Sequence, residues 1–384
     1  MKKRILSVLS HILVAALATG ITLSMTWQNP NQDSYTKLEQ LTELIEQKFI
    51  GDVDVTEMED AAAAAMIASL NDRWSYYIPA DEYASHVESM NNAYVGIGIT
   101  ITVAEDEAGF LVMVVNEGGP AEEAGLLVDD VITAIDGHPC AGLDPAEGRN
   151  LVRGKEGTQI RITVVRNGAE HTMDVTRRQV KTPVATWQML ENRVGLITIV
   201  NFDDRCAEET IAGIEALMEQ GAEKLIFDVR SNPGGYAHEL VKVLDYLLPE
   251  GEVFHTVDFT GREEFEHSDE KCLKIPMAVL VNQDSYSAAE FFAAALREYE
   301  AAVVVGEQTS GKGHFQYTYQ LKDGSAVGLS VGKYYTPKGL SLEGVGITPD
   351  VLVSVDEETY VKIYYGQLEP EEDPQLQAAL EVLK

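Results

Sequence analysis

Residues 277–316 read MAVLVNQDSYSAAEFFAAALREYEAAVVVGEQTSGKGHFQ, and this stretch is the most informative part of the second half of the chain. Met277–Val281 is a short apolar run of the kind that a buried strand shows, and Ala302–Val305 is a second. Between them a turn leads into an Ala-rich helix that opens at Ser287, and Lys312 follows later between two glycines. This order predicts parallel strands with a helix packed on the sheet.

Ser287 is the candidate nucleophile of this stretch. A serine at a strand-to-helix turn is exposed, and the backbone N–H groups of its neighbours point at whatever it attacks, which suits a nucleophile beside an oxyanion site. Ser287 followed by Glu290 three residues later is also a capping box, which needs no catalysis. The local sequence leaves both interpretations open.

Length and charge limit the classes of protein to consider. The 384 residues, of which 45% are hydrophobic, predict two or three domains with cores of their own. The 29 basic against 62 acidic residues leave a formal charge of −33, which repels nucleic acid and anionic lipid. We therefore expect no nucleic-acid partner. The three cysteines (Cys140, Cys206 and Cys272) show no metal-ligand spacing, and we expect them to be packing residues.

The N-terminus predicts a membrane anchor over residues 1–28. Three basic residues precede an apolar run, residues 5–27, and about 20 such residues can span a bilayer. The basic end would stay inside, so the rest of the chain would be extracytoplasmic. A cleaved signal peptide is the alternative, but the A-x-A match at residues 16–18 lies inside the apolar run. We therefore expect a single-pass protein of the cell membrane.

Residues 35–92 predict a helical region. Apolar residues recur at helical spacing over 35–50, and an alanine-rich segment over 60–70 predicts a second helix. The sequence LNDRWSYYIPADEY (70–83) then predicts a packed aromatic turn. Exposed apolar faces on such helices would suit self-association, so we expect a homo-oligomer, namely a dimer.

Residues 93–180 resemble a PDZ domain. The segment Gly96-Ile97-Gly98-Ile99 matches the carboxylate-binding loop of these domains, and an ordered set of glycine-containing turns follows it. The resemblance implies that backbone amides of this loop receive the terminal carboxylate of a peptide, while the next strand pairs with the peptide as an added strand.

Strands and helices alternate from about residue 182. The predicted elements are strands at Val194–Val200 and Lys224–Arg230, helices at Ala207–Glu219 and Tyr236–Leu248, and a hairpin over 315–335. Glu252–His267 is either a β-ribbon or a loop, and we favour a solvated loop. The turn Asn232-Pro233-Gly234-Gly235 precedes the second helix, where it presents free amides to a developing oxyanion. A tight turn with no chemistry is the alternative.

Residues 35–384 as a whole resemble the carboxy-terminal processing peptidases, or tail-specific proteases, which are serine proteases with a PDZ domain. By this resemblance Ser287 is the nucleophile, Lys312 the general base and Gln316 the group that orients the lysine. The resemblance also implies an oxyanion hole made by the backbone N–H of Ala288 and that of Gly234 or Gly235, with the choice of glycine open. It implies neither a metal nor an organic cofactor.

The proposed chemistry needs a neutral lysine. A serine hydroxyl is a weak nucleophile until a base takes its proton, and an amine is such a base only when it is uncharged. Desolvation lowers the pKa of a lysine. If residues 312–316 are extended, His314 shares a face with Lys312 and Gln316 and could replace the lysine as the base.

The sequence thus predicts an α/β multidomain protein. Its parts are the helical region, the PDZ domain and an α/β crotonase-like protease core over residues 182–384. We expect an extracytoplasmic serine endopeptidase that binds proteins or peptides with exposed C-termini. Two rival hypotheses are a catalytically silent PDZ scaffold and a crotonase-type enzyme that acts on acyl-CoA thioesters.

Overall fold

The computed structural model describes residues 32–104, 108–116 and 118–384. Residues 32–69 and the described residues from Leu70 onward form separate compact units. The first unit contains two helices, α1 (Gln32–Lys48) and α2 (Val55–Ala68), close to the predicted positions. The expected membrane anchor over residues 1–28 lies outside the described residues. No helix within the described ranges is long and apolar enough to cross a membrane.

The aromatic segment 70–83 contributes a strand to the second unit, where we expected only a packed turn. Tyr76–Ile78 (β1) pairs antiparallel with β18 (Ala326–Tyr335). Helix α3 (Tyr83–Met90) follows and leads into the PDZ-like region. Pairing with a strand some 250 positions away in sequence is a tertiary effect that local patterns do not encode.

Residues 93–181 form an antiparallel sheet with short helices. Its elements are β2 (Ala93–Gly96), β3 (Ile99–Val103), β4 (Phe110–Val115), α4 (Pro120–Glu123), β5 (Val131–Ile135), β6 (His138–Pro139), α5 (Pro145–Val152), β7 (Gln159–Arg166), β8 (Ala169–Thr176) and β9 (Arg178–Lys181). Strands β3, β4, β5, β7 and β8 lie side by side in this order, so β3 is an edge strand, and β2 pairs with β9. The apolar side chains of these strands, with Cys140, form a core of their own.

A mainly parallel sheet is the centre of the remaining chain. Its strands are β10 (Ala185–Met189), β11 (Val194–Ile199), β12 (Lys224–Asp228), β15 (Met277–Val281), β16 (Ala302–Gly306) and β19 (Val351–Leu352), in this spatial order. Only β10 runs antiparallel to its neighbour. The helices are α6 (Cys206–Glu219), α7 (Ala237–Leu247), α8 (Ala288–Glu298), α9 (Glu357–Tyr364) and α10 (Pro374–Val382).

The alternation predicted from residue 182 onward is therefore confirmed. Helices α6, α7 and α8 pack with one face of the sheet in the largest core, which includes Cys206, and α10 packs on the other face. Burial on both faces explains why β15 reads as an uninterrupted apolar run, since every one of its side chains is buried.

A second antiparallel sheet covers the parallel core near the candidate site. It contains β13 (Gly251–Asp258), β14 (Glu263–Ser268) and β17 (His314–Gln320), with β18 between β13 and β17. The predicted hairpin is present, whereas residues 252–267, for which we favoured a solvated loop, form a β-ribbon. The structure is a mixed α/β fold with several layers, as expected.

Candidate active site

Ser287 lies at the sharp turn between β15 and α8. Its backbone has φ 58° and ψ −124°, a conformation that residues other than glycine rarely adopt and that concentrates at functional sites. The side chain is mostly buried. The Glu290 half of the capping box is present, since the Ser287 N–H donates to Glu290 Oε2 at 3.0 Å. The turn is therefore capped and strained at once, so the cap does not exclude the nucleophile.

The turn at residues 232–235, here called the NPGG turn, lies directly against Ser287. Gly234 has φ +88°, and a Cβ placed there would meet the Ser287 Cβ at 2.7 Å. A backbone hydrogen bond joins the two turns, from the Tyr286 N–H to the Asn232 carbonyl at 3.1 Å. The close approach explains why this position needs glycine.

Asn282 holds the same two turns together from the other side. Its Oδ1 accepts the Ser231 N–H at 2.8 Å, and its Nδ2 donates to the Ser231 Oγ at 3.0 Å. The sequence analysis did not single out Asn282. The sequence signal that could have identified Asn282 is its position directly after a buried strand, at the start of the turn that leads to Ser287.

The backbone N–H groups beside Ser287 differ in whether they already donate a hydrogen bond. The Gly234 N–H donates to the Asn232 Oδ1 at 2.8 Å, so it is occupied. Within the described residues, no protein acceptor is found for the N–H groups of Gly235 and Ala288. Both residues line a small cavity with Ser287, about 10 Å³ in volume and otherwise apolar, which we call the Ser287 cavity.

Lys312 lies in the loop between β16 and β17, and its side chain is largely enclosed by aromatic rings. Its Nζ is 5.0 Å from the centre of the Trp74 ring and 5.7 Å from that of Tyr286. Burial lowers the pKa of this amine to about 8, and the carboxylates of Asp72, Glu343 and Glu290 oppose that effect. An amine with this pKa is partly neutral near pH 7 to 8, as a general base requires.

Glu290 connects Lys312 to Ser287. The side chain is completely buried, and its Oε2 accepts the N–H of Ser287 at 3.0 Å and that of Lys312 at 2.8 Å. Its Oε1 accepts the Gly311 N–H at 2.8 Å and the Thr309 hydroxyl. Burial raises the pKa of this carboxyl, while the four hydrogen bonds oppose the shift. Sequence analysis recognised Glu290 only as a cap, because loop 309–312 is remote in sequence.

Trp74 is the second residue that sequence analysis missed as part of the site. Its ring stacks on that of Tyr286 with 5.9 Å between centroids, and its Nε1 donates to the Glu343 Oε1 at 3.2 Å. Glu343 also accepts the Gly313 N–H at 2.8 Å, which fixes the backbone next to Lys312. The aromatic composition of segment 70–83 was the only sequence signal.

Gln316 and His314 are arranged differently from the extended strand that the sequence suggested. Strand β17 begins at His314, and its register shifts between Phe315 and Gln316, so an unbroken alternation from Lys312 is absent. The Gln316 Nε2 donates to the His314 carbonyl at 3.1 Å and the Ser330 Oγ at 3.0 Å. The His314 Nδ1 lies 3.5 Å from Glu343.

Arg230 anchors the residues in front of the NPGG turn. Its guanidinium, almost fully buried, binds the Asp228 carboxylate through two hydrogen bonds of 2.6 and 2.9 Å. It also donates to Asp373 at 2.8 Å and to Gln375 at 3.0 Å. These bonds tie the end of β12 to the start of α10. Within the described residues, no group of three or more His, Cys, Asp or Glu side chains could hold a metal ion.

Comparison with known proteins assigns both main parts of the chain. Residues 193–353 match the model of Peptidase family S41, and residues 111–166 match that of the PDZ domain. A putative S41 protease from Bacteroides fragilis NCTC 9343 has the same fold, with a TM-score of 0.55 at 17% identity over 89% of this chain and 96% of that one.

Two curated relatives match nearly the whole chain. The carboxy-terminal processing protease CtpA of Bacillus subtilis (strain 168) is 30% identical over 378 residues, which cover 95% of this chain and 80% of that protein. A probable CtpA-like serine protease of Staphylococcus aureus (strain COL) is 29% identical over 353 residues, 91% of this chain and 69% of that protein. This chain therefore belongs to peptidase family S41, as a serine protease of the carboxy-terminal processing type with a PDZ domain.

Proposed function

We propose that this protein is a membrane-anchored, extracytoplasmic endopeptidase that cleaves protein substrates through an acyl-enzyme on Ser287. Lys312 takes the proton of the Ser287 hydroxyl and then delivers it to the leaving amine. The observation that carries the proposal is the Glu290 carboxylate, which binds the backbone N–H groups of both residues. One buried group thus holds the strained serine and the low-pKa lysine together.

The oxyanion hole that we propose uses the N–H groups of Ala288 and Gly235. The engaged Gly234 N–H favours Gly235 as the second donor, a choice that the sequence left open. Gln316 remains our candidate for orienting Lys312, with its Oε1 as the acceptor for the amine, while its Nε2 donates to His314 and Ser330. The lowered pKa of Lys312 supports the lysine, and not His314, as the base.

The Ser287 cavity supports a preference for small apolar residues on the acyl side of the scissile bond. Leu240, Phe254, Phe291 and Tyr334 surround it and leave a volume of about 10 Å³, roughly the space of one water molecule. Without rearrangement of these side chains, an alanine fits far better than a large residue.

Tail recognition is proposed for the domain at residues 93–180, separate from the core at 182–384 and the helical region at 35–92. The loop Gly96-Ile97-Gly98-Ile99 leads into β3, whose outer edge is unpaired in the sheet and available for an added peptide strand. Gly98 has φ +75°, so the tight loop depends on glycine. Leu41 and Leu44 of α1 and Phe49 directly after it are exposed, which supports a dimer through this region.

The test is cleavage of an unfolded protein that has an apolar C-terminus, by the full-length chain and its Ser287→Ala variant. We expect the variant to lose roughly 10⁴-fold or more in rate, because the nucleophile is absent. Binding of the C-terminal tail to the variant, measured by fluorescence anisotropy, should equal that of the parent. Equal cutting by both proteins would mean that Ser287 is only a helix cap.

A further inference from the structure

An open groove rich in tyrosine lies beside the candidate active site, and its wall at residues 360–365 has no role in the chemistry described above. Its walls are Pro233 and Tyr286 on one side and Tyr360, Val361, Tyr364 and Tyr365 on the other. Its volume is about 560 Å³, within the usual range of ligand sites, whereas the Ser287 cavity has only about 10 Å³. We call it the tyrosine groove.

The aromatic wall of the groove is ordered by its own contacts but remains exposed. The Tyr360 hydroxyl donates to the Asp284 carboxylate at 2.8 Å, and the rings of Tyr364 and Tyr365 meet edge to face at 5.1 Å. Yet 58% of Tyr364 and 67% of Tyr365 are exposed. Adjacent exposed aromatic side chains of this size commonly mark a binding surface.

The position of the groove indicates what binds there. Pro233 directly precedes Gly234, and Tyr286 directly precedes Ser287, so the groove begins one residue from both. An extended substrate advances about 3.3 Å per residue. A polypeptide lying across Ser287 therefore reaches the tyrosine groove within the first few residues from the scissile bond.

The two cavities next to Ser287 share no lining residue. The Ser287 cavity is lined by Ser287, Ala288 and residues such as Ala237 and Phe291. The tyrosine groove is lined near the serine by Ser231, Pro233, Asp284 and Tyr286. A substrate whose acyl-side residue occupies the first cavity therefore has the groove available for the residues on the leaving-group side.

We infer that the tyrosine groove is a specificity site that binds an aromatic or large apolar side chain of the substrate on the leaving-group side of the scissile bond. This inference rests on the proposed function, because it takes Ser287 as the point of cleavage. It predicts that the protease prefers substrates with a small residue on the acyl side of the scissile bond and a large apolar residue at one of the next three positions.

The test compares peptides with alanine before the scissile bond and either Phe or Ser at each of the three following positions. The full-length parent should show a kcat/KM roughly tenfold higher for Phe at one of these positions, since a half-open apolar site discriminates modestly. The Tyr364→Ser/Tyr365→Ser variant should lower the Phe-to-Ser ratio to about one. Tyr319→Ser, which removes an exposed tyrosine of β17, should keep the parental ratio.

A second measurement does not depend on turnover. The Ser287→Ala variant is incubated with the same peptide carrying a photoreactive benzophenone residue at the preferred position, or at each of the three positions in turn. Cross-links should fall on residues 360–365, and cross-links confined to other residues would overturn the inference.

The outcomes separate this inference from the proposed function. If Ser287→Ala cleaves like the parent, the proposed function fails. The cross-links still show whether the peptide binds in the tyrosine groove. If cleavage depends on Ser287 but the double variant keeps the parental Phe-to-Ser ratio, only the groove inference fails. A smaller assembly of the double variant in light scattering, with an unchanged ratio, would assign the groove to contact with a second copy of the chain.

Discussion

Lys312 is the residue whose protonation state governs the proposed reaction. Burial under Trp74 and Tyr286 disfavours the ammonium form, while the ring faces and the carboxylates of Asp72 and Glu343 favour it. The balance is a pKa of about 8. The surroundings therefore keep the amine close to the pH at which it can both accept and return a proton.

We predict that kcat/KM for peptide cleavage rises with pH and reaches half its maximum near pH 8. Below this pKa Lys312 is protonated and cannot accept the Ser287 proton, and above it the amine is neutral. Initial rates between pH 6 and 10 at low substrate concentration measure the profile. A flat profile over this range would contradict the assignment of Lys312 as the base.

Stability measurements provide a control that does not need activity. The pKa of Lys312 is about 8 in the folded chain and about 10.4 in an unfolded one. Between these values the unfolded state binds more protons, so this residue makes the free energy of unfolding rise with pH there. The Lys312→Met variant should lack this contribution, which urea titrations at pH 7.5 and 9.5 detect.

At the scale of elements, Glu290 joins the start of α8 to the loop that carries Lys312. Each of its oxygens accepts two hydrogen bonds, and three of the four donors are backbone N–H groups. The contact therefore sets the distance between two elements that are not neighbours in sequence. Arg230 has a similar role between β12 and α10.

We predict that Glu290→Gln lowers the free energy of unfolding by roughly 2 to 4 kcal/mol and kcat by at least about 100-fold. An amide has one oxygen, so its NH₂ group would face a backbone N–H and leave that donor buried without an acceptor. Chemical denaturation and peptide cleavage measure the two effects. Glu219→Gln, an exposed position near the end of α6, is the matched control and should match the parent. Parental stability and rate in Glu290→Gln would refute this role.

At the scale of the whole molecule, the junction of the PDZ domain touches a segment that supports the NPGG turn. The Asn92 Nδ2 donates to Asn201 at 2.6 Å and to Asp203 at 3.0 Å. Between those two residues, the Phe202 N–H donates to the Gly234 carbonyl at 2.8 Å. Movement of the PDZ domain therefore has a short physical route to the candidate oxyanion site.

We predict that occupancy of the PDZ domain changes the cleavage rate, and that Asn92→Asp weakens this coupling. A carboxylate at position 92 would face the Asp203 carboxylate and repel it. The measurement is the ratio of kcat/KM for a peptide with a free C-terminal carboxylate to that for its C-terminal amide. The parent ratio should exceed one, and Asn92→Asp should bring it closer to one.

Asn150→Asp makes the same chemical change at an exposed position of α5 and serves as the control. It should keep the parental ratio. A ratio of one in the parent itself, or an unchanged ratio in Asn92→Asp, would count against coupling through the junction.

Family membership decides between the hypotheses that the sequence left open. The relation to carboxy-terminal processing proteases over nearly the whole chain supports a peptidase, against both the crotonase-type enzyme and the silent scaffold. The membrane anchor, the dimer, the tail-binding loop and the individual catalytic roles remain predictions.

Local patterns determined much of this protein by themselves. The apolar runs at β15 and β16, the helix that opens after Ser287 and the NPGG turn were predictable, because burial and turn chemistry act within a few residues. The order of motifs along the chain was enough to recognise the family. The candidate nucleophile and base follow from that order.

The surroundings of those residues depend on contacts between segments that are distant in the sequence. Trp74 and Glu343 meet at Lys312 although they are far apart in sequence, and the tyrosine groove combines residues near 233, 286 and 360. Our proposal of Gly235 and not Gly234 as an oxyanion donor depends on a side-chain hydrogen bond to the Gly234 N–H within a folded turn. Solvation, pKa and cavity shape are properties of a packed neighbourhood, and a sequence pattern specifies only which residues enter it.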